Sequence, residues 1–211
     1  MDAAEADRAC QTTGSEGGRT LVARALAKAE KKIRQEGWTL VFVDESGFYL
    51  LPMVIRSYAP RGLTPLLKEF LSRDHLAALG AITPQGKLFL STHSQAISTQ
   101  EVIAFLSLLQ KRIPGRLLIV WDNSPTHRSM KLKAYLAQGA ARRLHLEQLP
   151  SYAPELNPIE WIWSYMKVAQ LANVACDTLA QLERLVLQGK RRLQHKPVLI
   201  KSFIQHVGYR L

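Results

Sequence analysis

Apolar and polar positions alternate along the chain in blocks that predict both strands and helices. Short runs rich in β-branched and aromatic residues predict strands at 40–43, 48–56, 76–82, 87–91, 116–122 and 143–149. Apolar residues at helical spacing predict helices at 20–35, 98–112 and 127–138. From residue 158 onward the pattern is helical, with breaks near Asn173 and at Pro197.

Residues at the predicted element ends support these assignments. Gly37 is placed to end the first helix, as glycine commonly does. Ser98 and Glu101 have the spacing of a capping box at the start of the second. The tetrapeptide TPQG at 83–86 predicts a turn that joins 76–82 and 87–91 as a hairpin.

The order of the elements predicts an α/β domain with a mixed sheet. The first strands are close enough in sequence to form an antiparallel meander, and helical crossovers make the later ones parallel. We divide the chain into a leader with one helix at 1–37, an α/β domain at 38–172 and a helical extension at 173–211.

Composition narrows the class of protein. The 211 residues are 47% apolar and 21% charged, which is ordinary for a globular domain. No apolar stretch approaches the roughly 20 residues that span a bilayer, and the acidic N-terminus lacks a signal peptide's apolar core, so we expect no membrane partner. Cys10 and Cys176 lack metal-ligand spacing and fit a reducing, cytoplasmic setting.

The charge balance predicts an anionic partner. The formal net charge is +11 and the sequence pI is about 9.9, which favours nucleic acid. Residues 178–211 carry seven lysines and arginines against the single acid Glu183. A solvated helix face is the alternative interpretation of that basic run, but the basicity of the whole chain favours polyanion binding.

Two apolar strands each end on an aspartate, at Asp44 in VFVD and at Asp122 in LIVWD. Strand ends that meet at one edge of a sheet are where α/β folds build sites, so neighbouring strands would bring these carboxylates together. Converging carboxylates repel each other unless a cation offsets their charge. Oxygen ligands favour a hard divalent ion such as Mg²⁺ or Mn²⁺.

A third acid, Glu160, falls in the first turn of a predicted helix. Asn157 is a good N-cap and Pro158 suits the first helical position, so Glu160 could simply complete a capping box. Together with Asp44 and Asp122, it could instead hold two metal ions that clamp a phosphoryl displacement. Asp44 would then bridge both ions, with Asp122 on one and Glu160 on the other.

The segments FVDESGF, VWDNSPTH and LPSYAPELNPIEWIW resemble the three signature blocks of the DDE transposase domain in the mariner superfamily, particularly its bacterial insertion-sequence branch. SYAPRGLTP at 57–65 and LGAITPQGKLFL at 79–90 are also similar to that branch. The resemblance runs from about residue 38 to 170. It implies an RNase H-like mixed sheet flanked by helices, with 38–172 as the catalytic domain.

The same resemblance implies the chemistry and the partners. Asp44, Asp122 and Glu160 would be the catalytic, metal-binding triad, with 37 residues between the last two. The implied cofactor is two Mg²⁺ or Mn²⁺ ions, and the implied partners are transposon-end and target DNA. Phosphodiester hydrolysis at the ends and strand transfer to the target would require a homo-oligomer in the DNA complex, in the nucleoid of the bacterial cytoplasm.

Neighbouring residues are weaker candidates. Glu45 follows Asp44 and would point to the opposite face of the strand, and Glu155 is a rival third acid in a loop that misses the motif position. Trp161 and Trp163 could stack on bases, but we expect them to pack their helix onto the sheet. Candidates for supporting the acids or contacting DNA are Glu45, Asn123, His127, Asn157, Arg56 and Arg61.

One departure from the superfamily leaves alternatives open. Members usually carry helix-turn-helix modules before the catalytic domain, whereas residues 1–37 predict a single helix. A catalytically silent DNA-binding remnant, regulating a full-length transposase, is therefore an alternative function. A structure-selective nuclease on the same fold is a further alternative, which the signature blocks disfavour.

Overall fold

A five-stranded sheet forms the centre of the protein. The computed structural model describes residues 33, 35–51, 53–63, 66, 74–122, 129–149 and 156–209. The strands are β1 Trp38–Tyr49, β2 His75–Ile82, β3 Leu88–His93, β4 Arg116–Trp121 and β5 Leu144–Gln148. Their order across the sheet is β3-β2-β1-β4-β5.

The strand directions agree with the predicted mixed sheet. β1 and β3 each pair antiparallel with β2, and β4 pairs parallel with both β1 and β5. The long central strand β1 therefore belongs to both halves of the sheet. It is part of the antiparallel meander with β2 and β3, and of the parallel half with β4 and β5, which is built through helical crossovers. The register of β1 with β4 aligns Phe42 with Val120.

Helices cover both faces of the sheet. They are α1 Thr99–Arg112, α2 Met130–Ala137, α3 Ile159–Tyr165, α4 Leu179–Gln194 and α5 Pro197–His206. The predicted capping box at Ser98 and Glu101 is present at the start of α1. In the described part of the chain, no helix has the length and apolar character needed to cross a membrane.

Successive side chains of β1 point alternately into two hydrophobic cores on opposite faces of the sheet. Leu40 and Phe42 pack with residues of α3, α4 and α5 on one face, while Val41 and Val43 pack with residues of α1 and α2 on the other. Successive side chains of a strand point to opposite faces, so a nearly continuous apolar run serves both cores. The C-terminal helices share the first core, and the boundary predicted at residue 172 stays a prediction.

Helix α4 covers the exposed edge of β3. Lys190 Nζ donates to the Leu90 carbonyl at 2.9 Å and Gln194 Nε2 donates to the Leu88 carbonyl at 2.8 Å. An edge strand otherwise presents unpaired backbone groups that invite pairing with another chain. These side chains therefore join the basic C-terminal segment to the sheet as well as protecting its edge.

The prediction of a strand at 48–56 is wrong beyond Tyr49. Residues 53–63 have no strand structure, and the side chains of Met53, Val54 and Ile55 are exposed. Asn173 holds this segment instead: its backbone N–H donates to Met53 O at 2.9 Å, and its side chain bonds both the N–H and the carbonyl of Ile55. Apolar content alone therefore misidentified an extended surface segment.

The helices predicted at 20–35 and 127–138 lie partly outside the described residues. Ile33, Gln35 and Glu36 are helical, and Gly37 ends that helix with a φ of 67°. The later helix is described from Met130.

We expect Gly86→Ala to destabilise the fold more than Gly115→Ala. Both glycines have φ above 80°, so each alanine costs about 1–2 kcal/mol of backbone strain. A Cβ at Gly86 would also lie 2.6 Å from the Pro197 carbonyl oxygen, whereas nothing lies within 4 Å of one at Gly115. Crowding at the start of α5 should add about 1–3 kcal/mol, measured by urea unfolding. Equal losses in the two variants would contradict this packing of α5 on the hairpin turn.

Candidate active site

Asp44 is a buried carboxylate in the middle of the central strand. Its side chain is 7% exposed and lies on the face of β1 that packs against α3. The indole Nε1–H of Trp163 in α3 donates to Asp44 Oδ2 at 2.9 Å. The strand thus carries an acid into the hydrophobic layer, where only specific partners can offset the cost of its charge.

Asp122 lies beside Asp44 because β4 is the parallel neighbour of β1. Val120 is aligned with Phe42, so two residues further along each strand brings Asp122 to the level of Asp44. Asp122 itself is exposed and follows the end of β4 at Trp121. The structure therefore places the two aspartates side by side. The prediction that a strand ends at Asp44 is wrong, because β1 continues through it to Tyr49.

Glu160 enters from the first turn of α3. The predicted N-cap role of Asn157 is wrong: Pro158 occupies the cap position and no side chain caps the helix. Asn157 is 2% exposed and instead donates from Nδ2 to the Val43 carbonyl at 3.1 Å, 114 residues away. This bond ties the start of α3 to the residue before Asp44, which sets Glu160 above the strand.

The three acids interact electrostatically. Burial, followed by the charge of Glu160, raises the pKa of Asp44 from 3.8 to about 7, with Asp122 contributing in the same direction. The Trp163 hydrogen bond and the backbone amide of Glu45 oppose that rise. Burial also raises the pKa of Glu160, where Lys167 opposes it and Asp122 adds to it. The site therefore resists holding three negative charges without a cation.

Lys167 is a member of the site that the sequence analysis missed. It lies in the π-type turn Met166–Gln170 that continues α3, and its Nζ donates to Ser46 Oγ at 2.8 Å. Burial lowers the pKa of Lys167, while Glu160 and Asp44 oppose that shift. Its spacing of seven residues from Glu160, about two helical turns, was the available signal for a shared helix side.

An apolar cavity of about 450 Å³ adjoins Lys167. Its walls include Phe48, Leu171 and Cys176, and it opens beneath the surface segment that contains Met53. Lys167 therefore lines this apolar space and also interacts with the charges of Glu160 and Asp44.

The donor set fits a hard divalent cation, although it does not form a closed cage. Carboxylate oxygens are the ligands such ions prefer, and the buried Asn157 Oδ1 has no hydrogen-bond partner. No three His, Cys, Asp or Glu side chains among the described residues form a group that could hold a metal ion. This arrangement fits Mg²⁺, which binds through one or two carboxylates and completes its shell with water and phosphate oxygens.

The other residues that the sequence predicted to support the acids or contact DNA lie in different environments. Glu45 is half-buried and pairs with Leu79, whose side chain belongs to the core on the opposite face from Asp44. Arg56 and Arg61 are exposed on the 53–63 segment, and their DNA contacts stay a prediction. Outside the described residues lie Asn123, His127 and Glu155.

The two tryptophans of α3 have separate environments. Trp163 is 2% exposed and packs against the sheet, as expected. The expectation that Trp161 also packs against the sheet is wrong: it is 41% exposed, and its ring makes an edge contact with His206 in α5. The sequence analysis did not foresee that Trp163 also donates a hydrogen bond to Asp44.

Comparison with known proteins identifies a family and similar structures. The family described as DDE superfamily endonuclease matches residues 39–183. No curated protein matches the chain. Among solved structures, the mariner Mos1 paired-end complex with Mg is 18% identical with a TM-score of 0.59, covering 93% of this chain and 63% of that one. The Mos1 paired-end complex with the left transposon end is 15% identical with a TM-score of 0.59, covering 88% and 60%.

The separate catalytic domain of Mos1 mariner transposase matches over a similar region. It is 13% identical with a TM-score of 0.54, and the match covers 93% of this chain and 96% of that domain. This chain thus spans 60–63% of the Mos1 chains in the two paired-end complexes. The likeness confirms the predicted RNase H-like fold.

We expect Asp44→Asn to stabilise the metal-free protein at high pH. Folding raises the pKa of the Asp44 carboxyl from 3.8 to about 7, so the folded protein disfavours the ionised form. The cost of ionising Asp44 in the folded state is therefore absent below pH 4 and grows as pH rises. It reaches at most about 4 kcal/mol of folding free energy above pH 7. Urea unfolding from pH 4 to 8 with a chelator should show the variant gaining stability over wild type as pH rises.

The exposed Asp177 supplies the matched control for this pH series. Asp177→Asn removes a carboxylate outside the site and controls for the loss of one negative charge. A stability difference between Asp44→Asn and wild type that is the same at pH 4 and pH 8 would contradict the buried charge.

Proposed function

The chain belongs to the DDE superfamily endonucleases, and from that premise we propose that it is the catalytic domain of a metal-dependent DNA transposase. The observation that carries the proposal is the grouping of Asp44, Asp122 and Glu160 in a protein of net charge +11. Burial and the charges of Glu160 and Asp122 raise the pKa of Asp44, and burial and the charge of Asp122 raise that of Glu160. A basic protein attracts a phosphate backbone, while a cluster of acids can hold the divalent cations that phosphoryl transfer uses.

The similar structures support this choice of substrate and metal. They include Mos1 paired-end complexes with the left transposon end, with Mg and with Mn, and a Mos1 strand transfer complex. We extend these properties to the present chain as transposon-end DNA, target DNA and Mg²⁺ or Mn²⁺. The signature blocks around the three acids support the finer assignment to the bacterial insertion-sequence branch.

The three acids would hold two ions between them. Both Asp122 and Glu160 act on the charge of Asp44, so Asp44 would be the shared ligand, with Asp122 and Glu160 each serving one ion. Such ions supply an activated water or hydroxyl nucleophile and stabilise the leaving oxygen. Asn157 and Trp163 hold the acids in place through hydrogen bonds to Val43 O and to Asp44.

The reaction has two phosphoryl-transfer steps at this one site. Water attacks a phosphodiester at the transposon end, and the bond that breaks leaves a free 3′-hydroxyl. That hydroxyl then attacks a target phosphodiester, so each bond broken in the target is replaced by one new bond. Lys167 lies beside Glu160 and Asp44 with an ammonium that can donate to a phosphate oxygen.

Basic residues on the C-terminal helices would bind the DNA backbone. Arg184, Arg191 and Arg192 are exposed on α4, and Lys196 and Lys201 are exposed at and beyond the start of α5. Lysine and arginine contacts to phosphates release counterions, so binding should weaken steeply as salt rises. Because two transposon ends must be joined, we further propose a homo-oligomer on DNA, acting in the nucleoid of the bacterial cytoplasm.

We expect the chain to nick supercoiled plasmid in Mg²⁺ or Mn²⁺, and Asp122→Asn to reduce nicking by at least about 100-fold. Asp122→Asn removes part of the negative charge that would bind the metal ions and adds no bulk. Several kcal/mol of transition-state stabilisation depend on those ions. Gel electrophoresis of the relaxed product at fixed salt measures the rate.

Asp177→Asn is the control, because it changes the net charge equally at an exposed position outside the site. Metal-dependent nicking that persists in Asp122→Asn would rule out the proposed triad. Tight, salt-sensitive DNA binding without nicking in either metal would instead favour the DNA-binding remnant. Products whose 3′-hydroxyls join to a second DNA would separate a transposase from a simple nuclease.

A further inference from the structure

Trp163 makes a hydrogen bond that packing alone does not require. Its indole Nε1–H donates to Asp44 Oδ2 at 2.9 Å, although the ring is otherwise enclosed among apolar side chains. Phe48 contacts it edge-on, with ring centroids 6.0 Å apart. The polar edge of the ring therefore meets Asp44, while the rest of the ring is held by the hydrophobic core.

Gly80 provides the space that allows the indole to reach Asp44. It lies directly opposite Asp44 in the antiparallel pairing of β1 and β2. A Cβ at this position would lie 2.4 Å from Cη2 and 2.6 Å from Cζ2 of Trp163. The six-membered part of the indole thus occupies the volume that any side chain at Gly80 would take.

The donor is carried by the same helix as another acid of the site. Glu160 and Trp163 are three residues apart in α3, close to one turn of the helix. Asn157 ties the start of that helix to Val43. The relative positions of Glu160 and of the Asp44 carboxylate are therefore coupled through one rigid element.

We propose that Trp163 is a positioning residue, whose indole N–H fixes the rotation of the Asp44 carboxylate for metal binding. The absence of a side chain at Gly80 leaves the space that makes this contact possible. The inference rests on the proposed function only in taking Asp44 as a metal ligand. An indole suits this role because it donates one hydrogen bond, cannot accept one, and adds no charge. Lys167, the nearby cation, donates to Ser46 instead.

The indole resonances provide a direct readout in the 211-residue chain. The four tryptophans should give four indole N–H signals in a ¹⁵N correlation spectrum, and Trp163→Phe assigns one of them. Adding Mg²⁺ should shift the Trp163 signal most, because its acceptor changes electronic environment. The Trp38 signal is the internal reference, since its N–H donates to Glu36. A Trp163 signal that Mg²⁺ leaves in place overturns the inference.

Binding of Mn²⁺ to the DNA-free chain, measured by calorimetry, tests the role without relying on activity. Trp163→Phe keeps an aromatic ring and removes the donor, and it should weaken Mn²⁺ binding by about 10- to 100-fold, as loss of a ligand-orienting contact does. Phe48→Leu is the matched packing control, since it loosens the same ring contact and leaves the N–H intact. Equal weakening in both variants would assign the effect to packing and overturn the inference.

Two further changes keep the test decisive if Trp163→Phe folds poorly. Replacing Trp163 with benzothienylalanine exchanges the N–H for sulfur in a ring of nearly the same shape, and it should lower Mn²⁺ affinity and the nicking rate at saturating DNA while leaving the KM for DNA unchanged. Gly80→Ala should lower Mn²⁺ affinity without altering either partner of the bond. Wild-type affinity in the benzothienyl protein overturns the inference.

The outcomes also separate this inference from the proposed function. If wild type binds Mn²⁺ and nicks DNA, and the benzothienyl protein does both equally well, only the role of Trp163 is wrong. If wild type binds no Mn²⁺ with or without DNA, the proposed function fails and the inference fails with it.

Discussion

Burial of the Asp44 carboxylate close to two further acids is the constraint on which the rest of the site depends. Asp44 is buried, and the charges of Glu160 and Asp122 add to the cost of ionising it. A folded protein tolerates such an arrangement only when the surrounding structure holds the acids in place or a cation offsets their charge. Much of the architecture can be understood as supplying these two conditions, with β1 and β4 presenting two acids and α3 adding the third.

The sheet and the C-terminal helices supply the rigidity. Val41 and Val43 anchor one face of β1 in the core formed with α1 and α2, while Leu40 and Phe42 anchor the other against α3, α4 and α5. Asn157 and Trp163 then link the start and the body of α3 to β1 through buried hydrogen bonds. Because α4 also covers the edge of β3, the helices that carry the basic surface are integral to the sheet that carries the acids.

The sequence was most informative where an apolar run that predicts a strand is followed directly by an acidic residue. Apolar runs that end on Asp44 and Asp122 predicted two strands whose acids would meet if the strands were neighbours, and the parallel pairing of β1 with β4 makes them neighbours. The site contacts of Asn157, Trp163 and Lys167 were not predicted, because each bond joins α3 or its extension to β1 more than 100 residues away. Local rules favoured a cap for Asn157, and long-range packing prevailed. The strand predicted at 48–56 failed beyond Tyr49, because the apolar side chains of Met53, Val54 and Ile55 lie on the surface.

Thermal unfolding of wild type at pH 8, with and without Mg²⁺ or Mn²⁺ at constant ionic strength, tests the central claim most directly. If the three carboxylates form a cation site, either metal should raise the midpoint in a concentration-dependent way, because a ligand that binds only the folded state stabilises it. Asp44→Asn should show little or no rise. An unchanged wild-type midpoint at millimolar metal would contradict the claim that these acids converge to bind a divalent ion.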